Sequence, residues 1–168
     1  MRADLAALFQ PDERTARPLT VEFRVFGAPQ GARRHRVARR GANVVAYHGS
    51  DHVTAEERLR AACLVASQGA RFAGPVMVHV RTVHARPARL RRRADRCKRT
   101  RYTGKPDADN VAKLVMDACT LAGVWRDDTC VATLVVERWY AHLDEDGDQE
   151  LPHTFVCLAS VPEQVPDP

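Results

Sequence analysis

Regular alternation of apolar and polar residues predicts several β-strands along this chain of 168 residues. In the segment 19–27, Val21, Phe23 and Val25 alternate with neighbours that are mostly polar, a pattern typical of a strand with one buried face. A short valine-containing run and three longer ones give the same prediction, at 44–47, 76–84, 131–140 and about 153–161.

Two other stretches repeat apolar residues every three to four positions, as an amphipathic helix does. The first covers about 53–69, and Ser50 or Asp51 could cap its start. The second covers 109–121 and is followed by Gly123, a residue type that commonly ends helices. Its predicted apolar face consists of Val111, Leu114, Val115, Ala118, Leu121 and Ala122. Together the elements predict an α+β fold, with a small mixed or antiparallel sheet packed against two helices.

The chain is long enough for one domain with its own core, which we expect over 19–162. Residues 1–18 are expected to form a flexible leader, and residues 163–168 a C-terminal tail. No stretch reaches the roughly 20 apolar residues that a membrane span needs, and the N-terminus lacks the layout of a signal peptide. Five scattered cysteines without a Cys-x-x-Cys pair argue against disulfides or structural zinc. These features predict a soluble cytoplasmic protein with reduced thiols and no membrane partner.

Charge is distributed unevenly between the two parts of the chain. Residues 1–104 contain 22 basic and 8 acidic side chains, whereas residues 105–168 contain 4 basic and 13 acidic ones. The segment 33–43 is expected to be a basic loop, and 85–104 a mobile basic loop, because so charged a run has little to bury. This distribution fits either a nucleic-acid enzyme or a basic protein whose two parts neutralise each other.

Four aspartates surround the second predicted helix. Asp107 and Asp109 come at its start, and Asp127 and Asp128 follow its end. The helix would be about 18 Å long, and the residues after it can span at most about 23 Å, so the second pair can return to the helix start. Converging carboxylates would repel one another unless a cation lay between them, and hard oxygen ligands suit Mg²⁺ or Mn²⁺. Such an ion would support hydrolysis of a phosphodiester.

The same residues also have a purely structural interpretation. Asp107 or Asp109 could cap the helix, and Asp109, Lys113 and Asp117, spaced four residues apart, could form a solvated ladder of salt bridges. Alternatively, Lys113 lies one turn from Asp109 and could stabilise the charge that develops on a phosphoryl group. The spacing alone leaves both interpretations open.

The segment KPDADNVAKLVMDACTLAGVWRDD, residues 105–128, resembles the core motif of RusA-type Holliday junction endonucleases. That motif runs K-P-D-x-D-N-x-x-K, then D-A-L, then D-D. The matching residues here are Lys105, Pro106, Asp107, Asp109, Asn110, Lys113, Asp117, Ala118, Asp127 and Asp128. Gly27-Ala28-Pro29 is also similar to the opening G-x-P segment of the family. The resemblance extends over most of 19–162 and is sharpest in 105–128.

The resemblance implies a homodimeric endodeoxyribonuclease that resolves Holliday junctions in DNA recombination and repair, in a prophage-like setting, with Mg²⁺ or Mn²⁺ as cofactor. It implies that Asp107, Asp109 and Asp128 are catalytic residues that bind the metal. Asp127 would lie beside them as a further metal ligand, and Lys113 would be catalytic.

After G-x-P the family carries lysine and an arginine-proline-arginine run, whereas this chain has Gln30-Gly31-Ala32 followed by arginines. The positive charge is kept while the pattern differs, so two alternatives stay open. One is a less selective branched-DNA or flap nuclease, and the other is a non-catalytic basic protein that binds junctions. The basic residues expected to hold the phosphates of branched DNA are Arg33, Arg34, Arg36, Arg39, Arg40, Arg89, Arg91, Arg92, Arg93, Arg96, Lys98, Arg99, Arg101 and Lys105.

Overall fold

Two helices pack on one face of a four-stranded mixed sheet in the computed structural model of the protein. The structure describes residues 19–32, 36–40, 43–47, 50–91, 99–144 and 147–163. The predicted leader, 1–18, lies outside the described residues, as does all of the predicted tail except Glu163. The predicted α+β class is confirmed. Neither helix of the described ranges has the length and apolar character that crossing a membrane requires.

The elements follow the order that the sequence patterns predict, with one additional strand inside the segment predicted to be a basic loop. Along the chain they are β1 (Thr20–Phe26), β2 (Arg36–Arg40), β3 (Asn43–Tyr47), α1 (Ser50–Ser67), β4 (Val76–His84), α2 (Ala108–Ala122), β5 (Val131–Tyr140) and β6 (His153–Ser160). The sheet has the order β1-β6-β4-β5, with β6 antiparallel to both of its neighbours and β4 parallel to β5. The strands β2 and β3 form a separate antiparallel hairpin. A parallel pair needs a long crossover connection, and α2 lies in the one between β4 and β5.

The register of the sheet places one set of alternating side chains under the helices. Val21 of β1 lies opposite Leu158 of β6, which in turn lies opposite Val78 of β4. All three belong to the same buried cluster as Leu59 of α1 and Leu114 of α2. Because side chains alternate between the two faces of a strand, these positions define the helix-covered face. The main core therefore lies between the sheet and the two helices.

Gly123 caps the C-terminal end of helix α2. This glycine has φ 72°, in the left-handed region that favours glycine, and its N–H donates to the carbonyl oxygens of Cys119 and Thr120. The predicted apolar face is confirmed except at Leu121, whose exposed fraction is 55%. Leu121 lies in the last turn, at the edge of the apolar stripe, and Ala112 and Cys119 are buried instead.

The basic segment 33–43, predicted to be a loop, contains the strand β2. Each residue of β2 pairs with a residue of β3, so the prediction of a loop is wrong for 36–40. Backbone pairing in a hairpin does not require apolar side chains, and charged residues are common on edge strands. The sequence signal that was available is Gly41-Ala42, a two-residue connection of the kind that joins hairpin strands.

The segment 85–104 is predicted to be a mobile loop, and both of its described ends make defined contacts with the rest of the fold. Ala88–Leu90 forms a 3₁₀ turn, and Arg86 is only 1% exposed. The Nε of Arg86 donates to the carbonyl oxygen of Ala141 at 2.9 Å, and its own carbonyl oxygen accepts from the Nε of Arg91 at 2.8 Å. Charge density alone does not show which arginine can satisfy carbonyl groups inside the protein.

The other end of that segment extends the sheet. The N–H of Tyr102 donates to the carbonyl oxygen of Arg138 at 2.9 Å, and the N–H of Tyr140 donates to that of Thr100, also at 2.9 Å. This antiparallel bridge covers part of the outer edge of β5. The middle of the segment, 92–98, lies outside the described residues.

Replacing Leu114 by alanine should destabilise the protein by about 2–5 kcal/mol, because its buried side chain would leave a cavity under α2. The same change at Leu121 should cost less than about 0.5 kcal/mol, since exposed positions contribute little. Both variants introduce alanine into the same helix, so the comparison isolates burial. Urea unfolding followed by circular dichroism measures both values. A cost for L121A as large as that for L114A would show that another surface covers Leu121 in solution.

Candidate active site

The first turn of α2 presents two exposed carboxylates. Asp107 is the N-cap residue, with extended backbone at φ −71° and ψ 157°, but its side chain makes no capping hydrogen bond. Its carbonyl oxygen accepts from the N–H of Val111 at 3.1 Å, as the backbone of an N-cap residue does. Asp109 follows within the first turn, where the helix dipole favours negative charge. Within the described residues neither carboxylate has a hydrogen-bond or ion-pair partner, so capping does not account for Asp107.

The segment that follows β1 packs directly against this turn. The N–H of Ala32 donates to the carbonyl oxygen of Asn110 at 2.7 Å. A Cβ on Gly31 would lie 2.7 Å from the Cβ of Pro106 and 3.1 Å from that of Asn110, so the close approach requires glycine. Residues 30–32, where the chain departs from the family pattern, therefore support the start of α2. Sequence analysis missed this role, and its only signal is the glycine itself.

A second set of contacts holds the residues just before the turn. The hydroxyl of Tyr102 donates to the carbonyl oxygen of Lys105, and the guanidinium of Arg138 donates to that of Gly104. The ring of Tyr102 stacks on the ring of His84, with 3.6 Å between centroids and an angle of 5° between planes. Burial, and then the charge of Arg138, lower the pKa of His84 to about 4. The imidazole is therefore neutral at pH 7.

The second aspartate pair lies on a short turn that leads into β5. Asp128–Cys130 forms a 3₁₀ turn that contacts α2, and Asp127 caps it by accepting a hydrogen bond from the N–H of Thr129 at 2.9 Å. That hydrogen bond is the main cause that lowers the pKa of the Asp127 carboxyl. Asp127 thus has a structural partner. The carboxylate of Asp128 is exposed, and among its described neighbours the side chain of Asp127 interacts with it.

Buried residues fix the connection between α2 and that turn. Trp125 is 3% exposed, and its Nε1 donates to the hydroxyl of Thr120 at 2.7 Å. The carbonyl oxygen of the adjacent Val124 accepts from the N–H of Phe72 at 2.8 Å. The position of the second aspartate pair relative to α2 is therefore set by core packing.

The predicted carboxylates are not gathered into a metal cluster. In the part of the chain that the structure describes, no three His, Cys, Asp or Glu side chains lie close enough together to hold one ion. Without an ion between them, converging carboxylates would repel one another. Lys113 pairs with Asp117 at 3.9 Å, so the predicted ladder is confirmed for this pair and not for Asp109. An exposed pair of this kind contributes at most about 1 kcal/mol, so Lys113 can leave it.

The basic residues expected to hold DNA fall into three groups. Those that are described and exposed are Arg89, Arg91, Arg99, Arg101 and Lys105. Those that belong to β2 are Arg36, Arg39 and Arg40. Those that lie outside the described residues are Arg33, Arg34, Arg92, Arg93, Arg96 and Lys98.

Glu137 of β5 gathers basic side chains around one carboxylate. It accepts hydrogen bonds from the Nε of Arg81 at 3.1 Å and from Arg101 at 3.4 Å, and it lies 3.1 Å from the Nε2 of His79. Arg101 also stacks on Trp139, with 3.6 Å from its guanidinium carbon to a ring centroid. Burial raises the pKa of Glu137, but the hydrogen bonds and charges of Arg81 and then His79 hold it below its usual value. Sequence analysis missed this cluster, which joins cross-strand neighbours on β4 and β5.

The motif aspartates and several arginines of the described residues are exposed. A family model described as Endodeoxyribonuclease RusA matches residues 27–145. The match covers more than half of the chain, so the protein belongs to the RusA endodeoxyribonuclease family. A comparison with curated proteins gave no significant match.

Replacing Gly31 by alanine should destabilise the protein by about 1–3 kcal/mol, because the new Cβ would overlap Pro106 and Asn110. Gly74→Ala is the control, since its Cβ would meet only the Oε1 of Glu163, at an ordinary 3.7 Å. Thermal unfolding of both variants measures the difference. Equal melting temperatures would show that the segment after β1 does not pack against α2 as described.

Proposed function

We propose that this protein is a Mg²⁺-dependent endodeoxyribonuclease that resolves Holliday junctions in DNA recombination or repair. The observation that carries the proposal is the first turn of α2, where Asp107 and Asp109 expose carboxylates in a chain of the RusA family. Carboxylates that neither cap the helix nor pair with described cations are available to a metal ion.

Three carboxylates are proposed as metal ligands, those of Asp107, Asp109 and Asp128. Their chemistry fits Mg²⁺ or Mn²⁺, which prefer hard oxygen ligands. Asp127 is a weaker candidate, because it already accepts the hydrogen bond of Thr129. All four aspartates are exposed, and exposed side chains rotate within picoseconds to nanoseconds, so the carboxylates could come together around an ion. When bound, the ion would activate a water molecule and stabilise charge on the phosphate.

Lys113 is proposed as the residue that stabilises negative charge during cutting. It lies one helical turn after Asp109 on the exposed side of α2. Its contact with Asp117 is long and its side chain is 66% exposed, so the ammonium group can turn towards a bound phosphate. A fixed cation at that position would stabilise the charge that develops in the transition state.

The proposed partner is branched DNA, bound by a homodimer. Exposed arginines such as Arg89 and Arg99 suit the phosphate backbone, which supplies affinity without reading sequence. A four-way junction can adopt two-fold symmetry, and two subunits related by a two-fold axis would place one site on each of two opposing strands. A less selective flap nuclease and a non-cutting junction-binding protein would share the same basic surface. Only the cutting reaction separates the three.

The deciding experiment is cutting of a labelled four-way junction with and without Mg²⁺. Asp109→Asn should lower the single-turnover rate by about 10²–10³-fold, since it removes one charged contact while keeping the shape of the side chain. Affinity for the junction should change little, because the basic segments are untouched. Residual cutting above about a tenth of the parent rate would count against a ligand role for Asp109.

Asp117→Asn is the matched control on the same helix. Asp117 lies two turns beyond Asp109 and is not a proposed metal ligand, and its contact with Lys113 is long and exposed, so its loss should leave the cutting rate near that of the parent. The parent protein should cut the junction in preference to linear and flapped duplexes. Equal cutting of all three substrates would favour the less selective nuclease, and no cutting in Mg²⁺ or Mn²⁺ would favour the binding protein.

Lys113→Ala should slow cutting by about 100-fold and weaken junction binding far less, because Lys113 lies on α2 and outside the basic segments. Single-turnover rates and equilibrium affinities measured on the same junction give the two numbers. A fall in affinity with an unchanged rate would identify Lys113 as a phosphate anchor instead.

A further inference from the structure

We infer that Tyr102 and Arg138 are positioning residues, which hold the backbone ahead of Asp107 in the geometry that metal binding needs. This inference deepens the proposed function and rests on it. Both residues lie outside the motif-like segment 105–128. Their role is visible only in the contacts that the fold creates.

Two carbonyl groups at the entrance to the motif accept hydrogen bonds from these side chains. The hydroxyl of Tyr102 donates to the carbonyl oxygen of Lys105, and the guanidinium of Arg138 donates to that of Gly104. Lys105 precedes Asp107 by two residues, which is about 7 Å along the chain. A displacement of these carbonyl groups is therefore transmitted directly to the backbone of Asp107.

Tyr102 is itself held by aromatic packing. Its ring stacks on His84 at 3.6 Å and meets Tyr140 edge to face, with 5.1 Å between centroids and 77° between planes. A Cβ on Gly104 would lie 2.7 Å from the Tyr102 hydroxyl, which shows how closely the side chain follows the segment that it holds. Because the Tyr102 hydroxyl is already held in place, little conformational entropy is lost in positioning it when a ligand binds at the site.

Arg138 belongs to the same unit. Its guanidinium carbon lies 5.1 Å from the ring centroid of Tyr102, and its carbonyl oxygen accepts from the backbone N–H of Tyr102 at 2.9 Å. The neighbouring His84 has a pKa of about 4, so at pH 7 it does not repel the guanidinium. Both donors are thus anchored through the edge of β5, a rigid element of the sheet.

The orientation of Asp107 depends on such outside support. Its carboxylate makes no capping hydrogen bond, so the backbone on either side is what fixes the position from which the side chain can turn towards an ion. On the side after Asp107, Ala32 donates to the carbonyl oxygen of Asn110. Gly31 packs against both Pro106 and Asn110, one on each side of Asp107. Tyr102 and Arg138 hold the backbone before Asp107. Losing a contact that orients a metal ligand typically costs about 10–100-fold in metal affinity or activity.

Tyr102→Phe tests the inference, because it removes the hydroxyl and keeps the stacked ring. The variant should need about tenfold more Mg²⁺ for half-maximal single-turnover cutting of a four-way junction, the low end of the usual cost of losing such a contact. Mn²⁺ binding in the absence of DNA, followed by electron paramagnetic resonance, should weaken by a similar factor. Junction affinity and the melting temperature should stay near those of the parent.

Tyr140→Phe is the matched control. It removes a hydroxyl from the same aromatic cluster, and among the described residues that hydroxyl makes no hydrogen bond to the segment 104–105. Arg138→Met removes the donors that reach Gly104 and should reproduce the effect of Tyr102→Phe. Arg138→Lys keeps one donor group and should restore part of the metal affinity.

The possible results separate this inference from the proposed function. A parent protein that cuts, together with unchanged Mg²⁺ dependence and Mn²⁺ binding in Tyr102→Phe, would overturn the positioning role alone. A lower melting temperature of Tyr102→Phe with unchanged metal dependence would mean that Tyr102 has a purely structural role. That result would also overturn the positioning role. A parent that cuts in neither metal would overturn the proposed function, and direct Mn²⁺ binding would still decide the positioning role.

Discussion

Burial of the apolar stripe of α2 against the sheet determines where the candidate site residues lie. Leu114 and Val115 are each 1% exposed, and burying such a side chain contributes about 1.5–3 kcal/mol by removing apolar area from water. Because successive residues of a helix are rotated by about 100°, fixing that stripe leaves Asp109 and Lys113 on the exposed side. The packing that stabilises the fold therefore also presents a carboxylate and an ammonium group, one turn apart, to solvent.

The strands and helices of the main fold could be predicted from the sequence because their periodicities are local. Alternation in β1 and β4 and the spacing in α2 depend only on which face of each element is buried. How deeply each side chain is buried depends instead on residues that are distant in the sequence. Leu121 shares the spacing of Leu114 but lies at the edge of the apolar stripe and is exposed. The charged Arg86 is buried, and its Nε donates to the carbonyl oxygen of Ala141. The exposure of Leu121 and the burial of Arg86 both depend on which other elements of the fold pack beside them.

The candidate site could be predicted only where side chains define it. The spacing of the motif aspartates and of Lys113 is visible in the sequence. The contacts that hold the start of α2 in place, however, are made to backbone carbonyl groups. Ala32 donates to the carbonyl oxygen of Asn110, and Tyr102 donates to that of Lys105. Every residue carries the same carbonyl group, so contacts of this kind leave no residue-type signature. The sequence also could not predict whether the two aspartate pairs converge. The number of residues between the pairs sets only the largest distance that can separate them.

The acidic residues of the chain differ in whether they pair with its basic residues. Glu137, from the acidic part, pairs with Arg81 and Arg101 from the basic part, which is the mutual neutralisation that the structural alternative predicts. That alternative does not extend to the motif, because Asp107 and Asp109 pair with none of the described arginines or lysines in a chain of net charge +5. Neighbouring carboxylates repel one another, and a cation from outside the chain would relieve that repulsion. One carboxylate therefore stabilises the sheet, whereas those of Asp107 and Asp109 stay unpaired among the described residues.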